Sequence, residues 1–169
     1  MIILGYVGNH AKDAIPVRLG WAITRLVQTG KYKRVTHTEC VHAGSNYKLC
    51  TIASSSARDH GVRAKSDVSL TKGNWIALDV PDFDAEKSKA WFSAYDGFGY
   101  DWLGAAGTRL HFLQGWHYSL NRFFCNETTL KALPIPFYAR ADELTPSECF
   151  ELLVSGFGAL DVTDKFFED

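Results

Sequence analysis

A chain of 169 residues with 46% hydrophobic and 14% aromatic residues has enough apolar material for one sizeable core, so a single domain over residues 1–169 is expected. With 18 Lys+Arg against 19 Asp+Glu, the net charge of −1 offers no overall electrostatic footprint for nucleic acid or an anionic membrane. No apolar run approaches membrane-spanning length, and Met1 to Val7 is short and lacks a basic lead-in, so neither a membrane span nor an export signal is expected. Four cysteines, Cys40, Cys50, Cys125 and Cys149, are too few for a disulfide scaffold at this length and show no C-x-x-C spacing; reduced thiols are the expectation.

In chain order, Ile2 to Val7 reads as a strand. Pro16 starts a helix with a partial stripe of Val17, Leu19, Trp21, Ile23, Leu26 and Val27, ended by Gly30. Val35 to Ala43 and Tyr47 to Ala53 read as a hairpin about Gly44-Ser45-Asn46. Ser54 to Asp59 reads as a polar loop, followed by short strands near Gly61 to Ala64 and Asn74 to Val80. Asp84 to Tyr95 reads as a helix. Tyr100 to Gly107 reads as an Asp-capped helix with small residues on one side, and a final helix starts at Thr145-Pro146 and carries Cys149, Phe150, Leu153 and Phe157. The class is α+β, an antiparallel sheet or partial barrel packed against helices.

Two stretches carry chemistry. In Asn121 to Leu133, two aromatics run into Cys125, and Leu130 and Leu133 at helical spacing place that cysteine at a helix N-terminus, where orphan N–H groups and the helix dipole favour a thiolate. The plain alternative is that Cys125 is one more small buried side chain. On the first hairpin strand, alternation puts Val35, His37, Glu39, Val41 and Ala43 on one face and Thr36, Thr38, Cys40 and His42 on the other. His37 and Glu39, about 7 Å apart along the strand, interrupt an apolar face and are natural partners, either as part of a reacting group or simply as a buried pair. A metal held by His37, Glu39, Cys40 and His42 is disfavoured, because alternation divides them between faces and zinc-type spacing is absent. No metal or cofactor is expected.

Four segments follow one another: His-x-Glu at His37 and Glu39, the serine-rich arginine loop Ser54 to Arg63, Tyr-Asp-Trp-Leu-Gly at Tyr100 to Gly104, and the aromatic-aromatic-Cys-x-Glu helix start at Phe123 to Glu127. Together they resemble the circularly permuted branch of the NlpC/p60 papain-like superfamily, closest to its small bacteriophage and prophage-encoded members, over roughly residues 1–135. The resemblance implies Cys125 as nucleophile and His37 as base, since the histidine strand precedes the cysteine helix. Many permuted members place an acid on the next strand; here Tyr47 to Ser54 has none, so Glu39 is the expected orienting residue, with Thr51 or Ser54 as substitutes.

The chemistry so implied is a cysteine hydrolase, an amidase or peptidase working by acyl transfer, on a small peptide such as a cell-wall peptide. Lipid-type or thioester acyl groups are rival substrates, and a virion or binding module without turnover is the reading from a different class. Tyr100, Trp102 and Trp116 are candidates to line the cleft, with Ser54, Arg58 and Glu127 as further substrate contacts; Glu127 has capping its own helix as an alternative. A cytoplasmic location in a bacterial host, or association with a virion, follows from the resemblance alone.

Overall fold

The computed structural model describes residues 1–9, 11, 13–44, 47–108, 121–133 and 141–168. Its centre is an eight-stranded sheet in the order β7-β6-β4-β3-β2-β1-β5-β8. The strands are β1 (Ile2–Tyr6), β2 (His37–Ala43), β3 (Cys50–Ser56), β4 (Gly61–Val68), β5 (Trp75–Asp79), β6 (Gly99–Tyr100), β7 (Arg122–Phe123) and β8 (Leu160–Asp161). The helices are α1 (Ile15–Val27), α2 (Ala85–Ala94), α3 (Trp102–Gly107), α4 (Cys125–Ala132), α5 (Pro146–Phe157) and α6 (Thr163–Phe166). Pairing is antiparallel except between β6 and β7, which run parallel.

Alternation along the strands divides the apolar side chains between two clusters. Ile3, Cys40, Ala53, Val62 and Leu78 join Leu130 of α4 and Cys149, Phe150 and Leu153 of α5 on one face. Leu4, Val41, Ile52 and Ala77 join Phe166 and Phe167 on the other. Each strand thus alternates between two buried faces, which explains why β1, β2 and β3 read as nearly continuous runs of buried residues. The close fit of α5 depends on a missing side chain: a Cβ on Gly5 would lie 2.6 Å from Phe150 Cζ.

Most expected elements are present, with informative differences. The serine run is strand rather than loop: β3 continues through Ser56, and Ser54 and Ser55 are fully buried. Their hydroxyls are satisfied inside the sheet, Ser54 Oγ donating to Thr38 O at 2.6 Å and Ser55 Oγ to Phe123 O at 2.6 Å, so a polar sequence does not imply an exposed loop. The α1 stripe also divides: Trp21 is buried while Leu19, Ile23 and Leu26 are exposed. The two-residue strands β6, β7 and β8 are too short to show a period in sequence. Asp101 caps α3 as expected, accepting from Gly104 N–H, and Asp84, which is not among the expected caps, does the same for α2 by accepting from Glu86 N–H.

Candidate functional site

The site is assembled where β2 begins and α4 begins. Phe124 occupies the α4 N-cap and has no side-chain acceptor to offer the first-turn N–H groups; Glu127 reaches back to the Phe124 N–H, and also accepts from Lys131 Nζ at 2.6 Å. A set of hydroxyls then fixes this turn against the sheet. Thr38 Oγ1 and Thr129 Oγ1 are 2.9 Å apart, Ser55 N–H donates to Thr128 Oγ1, and both Thr128 and Thr129 donate to the Cys125 carbonyl. The approach of β7 is set by the other end of β4: Gly61 has φ +151°, and a Cβ there would lie 1.9 Å from Phe98 O. Gly61 pairs with Gly99, and β6 in turn carries β7 and the entry to α4.

His37 opens β2, on the face opposite the Thr38 contact to α4. As the first strand residue, it sits at the border of the sheet, where its ring can address the helix end. Its Nε2 is 2.8 Å from Glu39 Oε1. Burial disfavours imidazolium, but Cys125, through its charge and a side-chain hydrogen bond, and then Glu39, outweigh burial and raise His37 to about 9. The Nδ1 atom is buried and, among the described residues, makes no hydrogen bond of ordinary geometry. These two observations agree if the sulfur stands near the ring at loose or poorly aligned range, a common resting arrangement of thiol and base. Because Nε2 is engaged, Nδ1 is the nitrogen open to the sulfur. The Cys125 thiol is also 3.6 Å from Asn126 Oδ1.

Glu39 is the hub of the site. Besides His37, it accepts two bonds from Arg63, at 2.6 Å to Oε1 and 2.7 Å to Oε2. Burial opposes its ionisation, but Arg63 and then His37 hold its carboxyl down to about 2. Arg63 continues to Asp59 at 2.8 Å, and Asp59 to Lys65 at 2.6 Å. Arg63 lies on β4 directly opposite Ser54, and it reaches Glu39 on β2 across β3. The small serine at position 54 leaves that path open. Burial pushes the other three thiols up, Cys40 to about 12 and Cys50 and Cys149 also above the ordinary thiol value.

The candidate residues are therefore distributed as follows. Cys125, His37 and Glu39 are brought together, whereas Thr51 lines a separate cleft with His42, Lys89 and Asp96, and Ser54 ties β2 to β3. Glu127 caps its own helix and pairs with Lys131, and it lines none of the described clefts. Arg58 borders a polar cleft of about 290 Å³ that contains His37, Glu39, Asp59, Arg63 and Lys65, and it is paired with Asp13. Tyr100 and Trp102 border an apolar groove of about 310 Å³ between α1 and α3, together with Val17, Ile23 and Ala105. Trp116 lies outside the described residues.

Sequence reasoning missed Arg63 and Trp21. Trp21 stands edge-on to His37, ring centres 6.0 Å apart, and borders both the polar cleft and the apolar groove. Cys125 itself is only 1% exposed and borders neither. Among the described residues, no cluster of three or more His, Cys, Asp or Glu side chains is placed to hold a metal, and no helix is long and apolar enough to cross a membrane. Neither a family model, nor a curated protein, nor a solved structure matches this chain.

Proposed function

We propose that the protein is a cysteine hydrolase on a permuted papain-like scaffold, with Cys125 as nucleophile, His37 as general base and acid, and Glu39 as the residue that orients and charges His37. The observation that carries this reading is that His37, bound through Nε2 to Glu39 at 2.8 Å, is also raised by Cys125 at the start of α4, 88 residues further along the chain. In the reaction, the Cys125 proton passes to His37 and the sulfur attacks the carbonyl carbon of an amide. The tetrahedral oxyanion is met by the Cys125 backbone N–H in the first turn of α4. Collapse breaks the C–N bond, His37 gives its proton to the departing amine, and a thioester remains. Water, deprotonated by His37, then attacks the thioester; the acid is released and the thiol is restored.

A second reading on the same residues is hydrolysis or transfer of a lipid-type acyl group. The apolar groove bordered by Trp21, Ile23, Tyr100 and Trp102 favours it, since this groove suits an acyl chain better than a polar peptide. The two readings part on substrate: release of amine from short peptide amides supports the first, and faster release from medium-chain thioesters or esters supports the second. The reading shared by both is tested by iodoacetamide labelling of the folded protein across pH with mapping of the modified site. Cys125 is expected to react first at neutral pH, because the other three thiols are held protonated by burial. Faster labelling of Cys40, Cys50 or Cys149 would overturn the assignment, and a Cys125→Ala protein that retains turnover would end the hydrolase reading.

A further inference from the structure

Helix α1 is docked the wrong way round for a core helix. At 100° per residue, Ile15, Leu19, Ala22, Ile23 and Leu26 fall on one arc of about 100°. Burial shows which way this arc points: all five residues are exposed, Ile15 by 78% and Leu26 by 84%, while Trp21 and Thr24 on the opposite side are buried. The arc continues sideways, because Leu19 and Ile23 share the apolar groove with Trp102 of α3, and Trp102 and Leu103 are themselves exposed.

Charge indicates what covers such a face. Residues 15–34 contain Arg18, Arg25, Lys31, Lys33 and Arg34 and no carboxylate, so a chain of net charge −1 carries five cations on this one stretch. Arg18 lies beside one edge of the apolar arc and is exposed; Arg25, further along the same side, is exposed while its guanidinium donates to the Val7 and Gly8 carbonyls. Asp13, the acid just before the helix, is already paired with Arg58. A second copy of the chain packed face to face would oppose like charges across the twofold axis. An aliphatic arc edged by cations, with a tryptophan beside it, is instead the pattern of a helix lying in the plane of a lipid surface. We propose that the outer face of α1, with Trp102 and Leu103, docks the protein on an anionic membrane surface. This inference uses none of the chemistry assigned to Cys125.

The test is sedimentation of the full chain with vesicles of phosphatidylcholine alone and of phosphatidylcholine mixed with phosphatidylglycerol, at low and high salt. Binding to the mixed vesicles is expected, weakened by salt and much weaker on phosphatidylcholine alone. Leu19→Glu with Leu26→Glu should reduce vesicle affinity by at least about tenfold, since it removes inserted apolar surface and adds like charge. Arg18→Gln and Lys33→Gln should each reduce it about fivefold. All four positions are exposed, so an unchanged melting temperature verifies the fold. Absence of binding to the mixed vesicles, equal binding to both vesicle types, or unchanged binding of the Leu19→Glu, Leu26→Glu variant overturns the proposal. So does self-association that these substitutions abolish in the absence of vesicle binding.

Discussion

Helices α1 and α4 contradict their own compositions. Helix α4, Cys-Asn-Glu-Thr-Thr-Leu-Lys-Ala, is mostly polar, yet every residue except Lys131 is buried. Helix α1, rich in Ile, Leu, Val and Trp, keeps its aliphatic arc in water. Burial therefore follows available partners rather than hydropathy. The polar groups of α4 meet Thr38, Ser55 and backbone carbonyls at hydrogen-bonding distance, which offsets their desolvation and fixes the turn that presents Cys125. Among the described residues, no layer faces Ile15, Leu19, Ile23 and Leu26 of α1.

The largest effect is expected at the proposed relay: Cys125→Ala or His37→Ala should lower turnover by about three orders of magnitude or more with the fold retained, measured by steady-state hydrolysis beside circular dichroism. A smaller loss would place the chemistry elsewhere.

Arg63→Met should cost about 3 kcal/mol, because it leaves Glu39 buried beside a single partner. Urea unfolding against pH checks the sign. Glu39, held down to about 2 from 4.5, contributes stability that is present above pH 4.5 and lost as pH falls toward 2. That acid-sensitive part should shrink in Arg63→Met. If the variant unfolds with the wild-type midpoint throughout, Arg63 is not what holds the carboxylate.

Glu39→Gln tests the orienting role. Since His37 is held up to about 9, hydrolysis should fall above about pH 9, where the imidazolium needed to protonate the leaving amine is lost. In Glu39→Gln that basic limb should move toward the ordinary histidine value. A limb that stays in place, with only stability reduced, would make Glu39 a partner of Arg63 alone.

The smallest effects contrast the two helices directly. Thr129→Val in α4 removes a buried hydroxyl that serves both Thr38 and the Cys125 carbonyl, and should cost about 1 kcal/mol. Leu26→Ser in α1 should change stability by less than about 0.5 kcal/mol. Thermal melts giving the reverse order would mean that α1 is held by its aliphatic arc after all.

The legible parts of this site were those written in local pattern. Period-two alternation on β2 puts His37 and Glu39 on one face, and helical spacing after Phe124 puts Cys125 at a helix start. Arg63 was not legible because its contact to Glu39 crosses an intervening strand, and sequence carries no mark of which residues lie two strands apart. The hydroxyl anchors were hidden for a related reason: Ser54-Ser55 and Thr128-Thr129 have loop-like composition, and only the packing of α4 on β2 and β3 turns them into buried partners. In α1, periodicity gave the helix but not its direction, since an apolar arc signals amphipathicity whether it faces a core or the outside.

The enclosure of Cys125, 1% exposed with Trp21 edge-on to His37, bears on the lifetime of the thiol. Any reagent meets the sulfur only during an opening, so its observed rate is the product of an opening equilibrium and an intrinsic rate. A series of electrophiles of rising bulk then measures the width of that opening, independent of acidity. Peroxide is subject to the same restriction, so the closed state shields the sulfur from progressive oxidation to sulfinic acid, the point at which, on the proposed hydrolase reading, the nucleophile would be permanently spent.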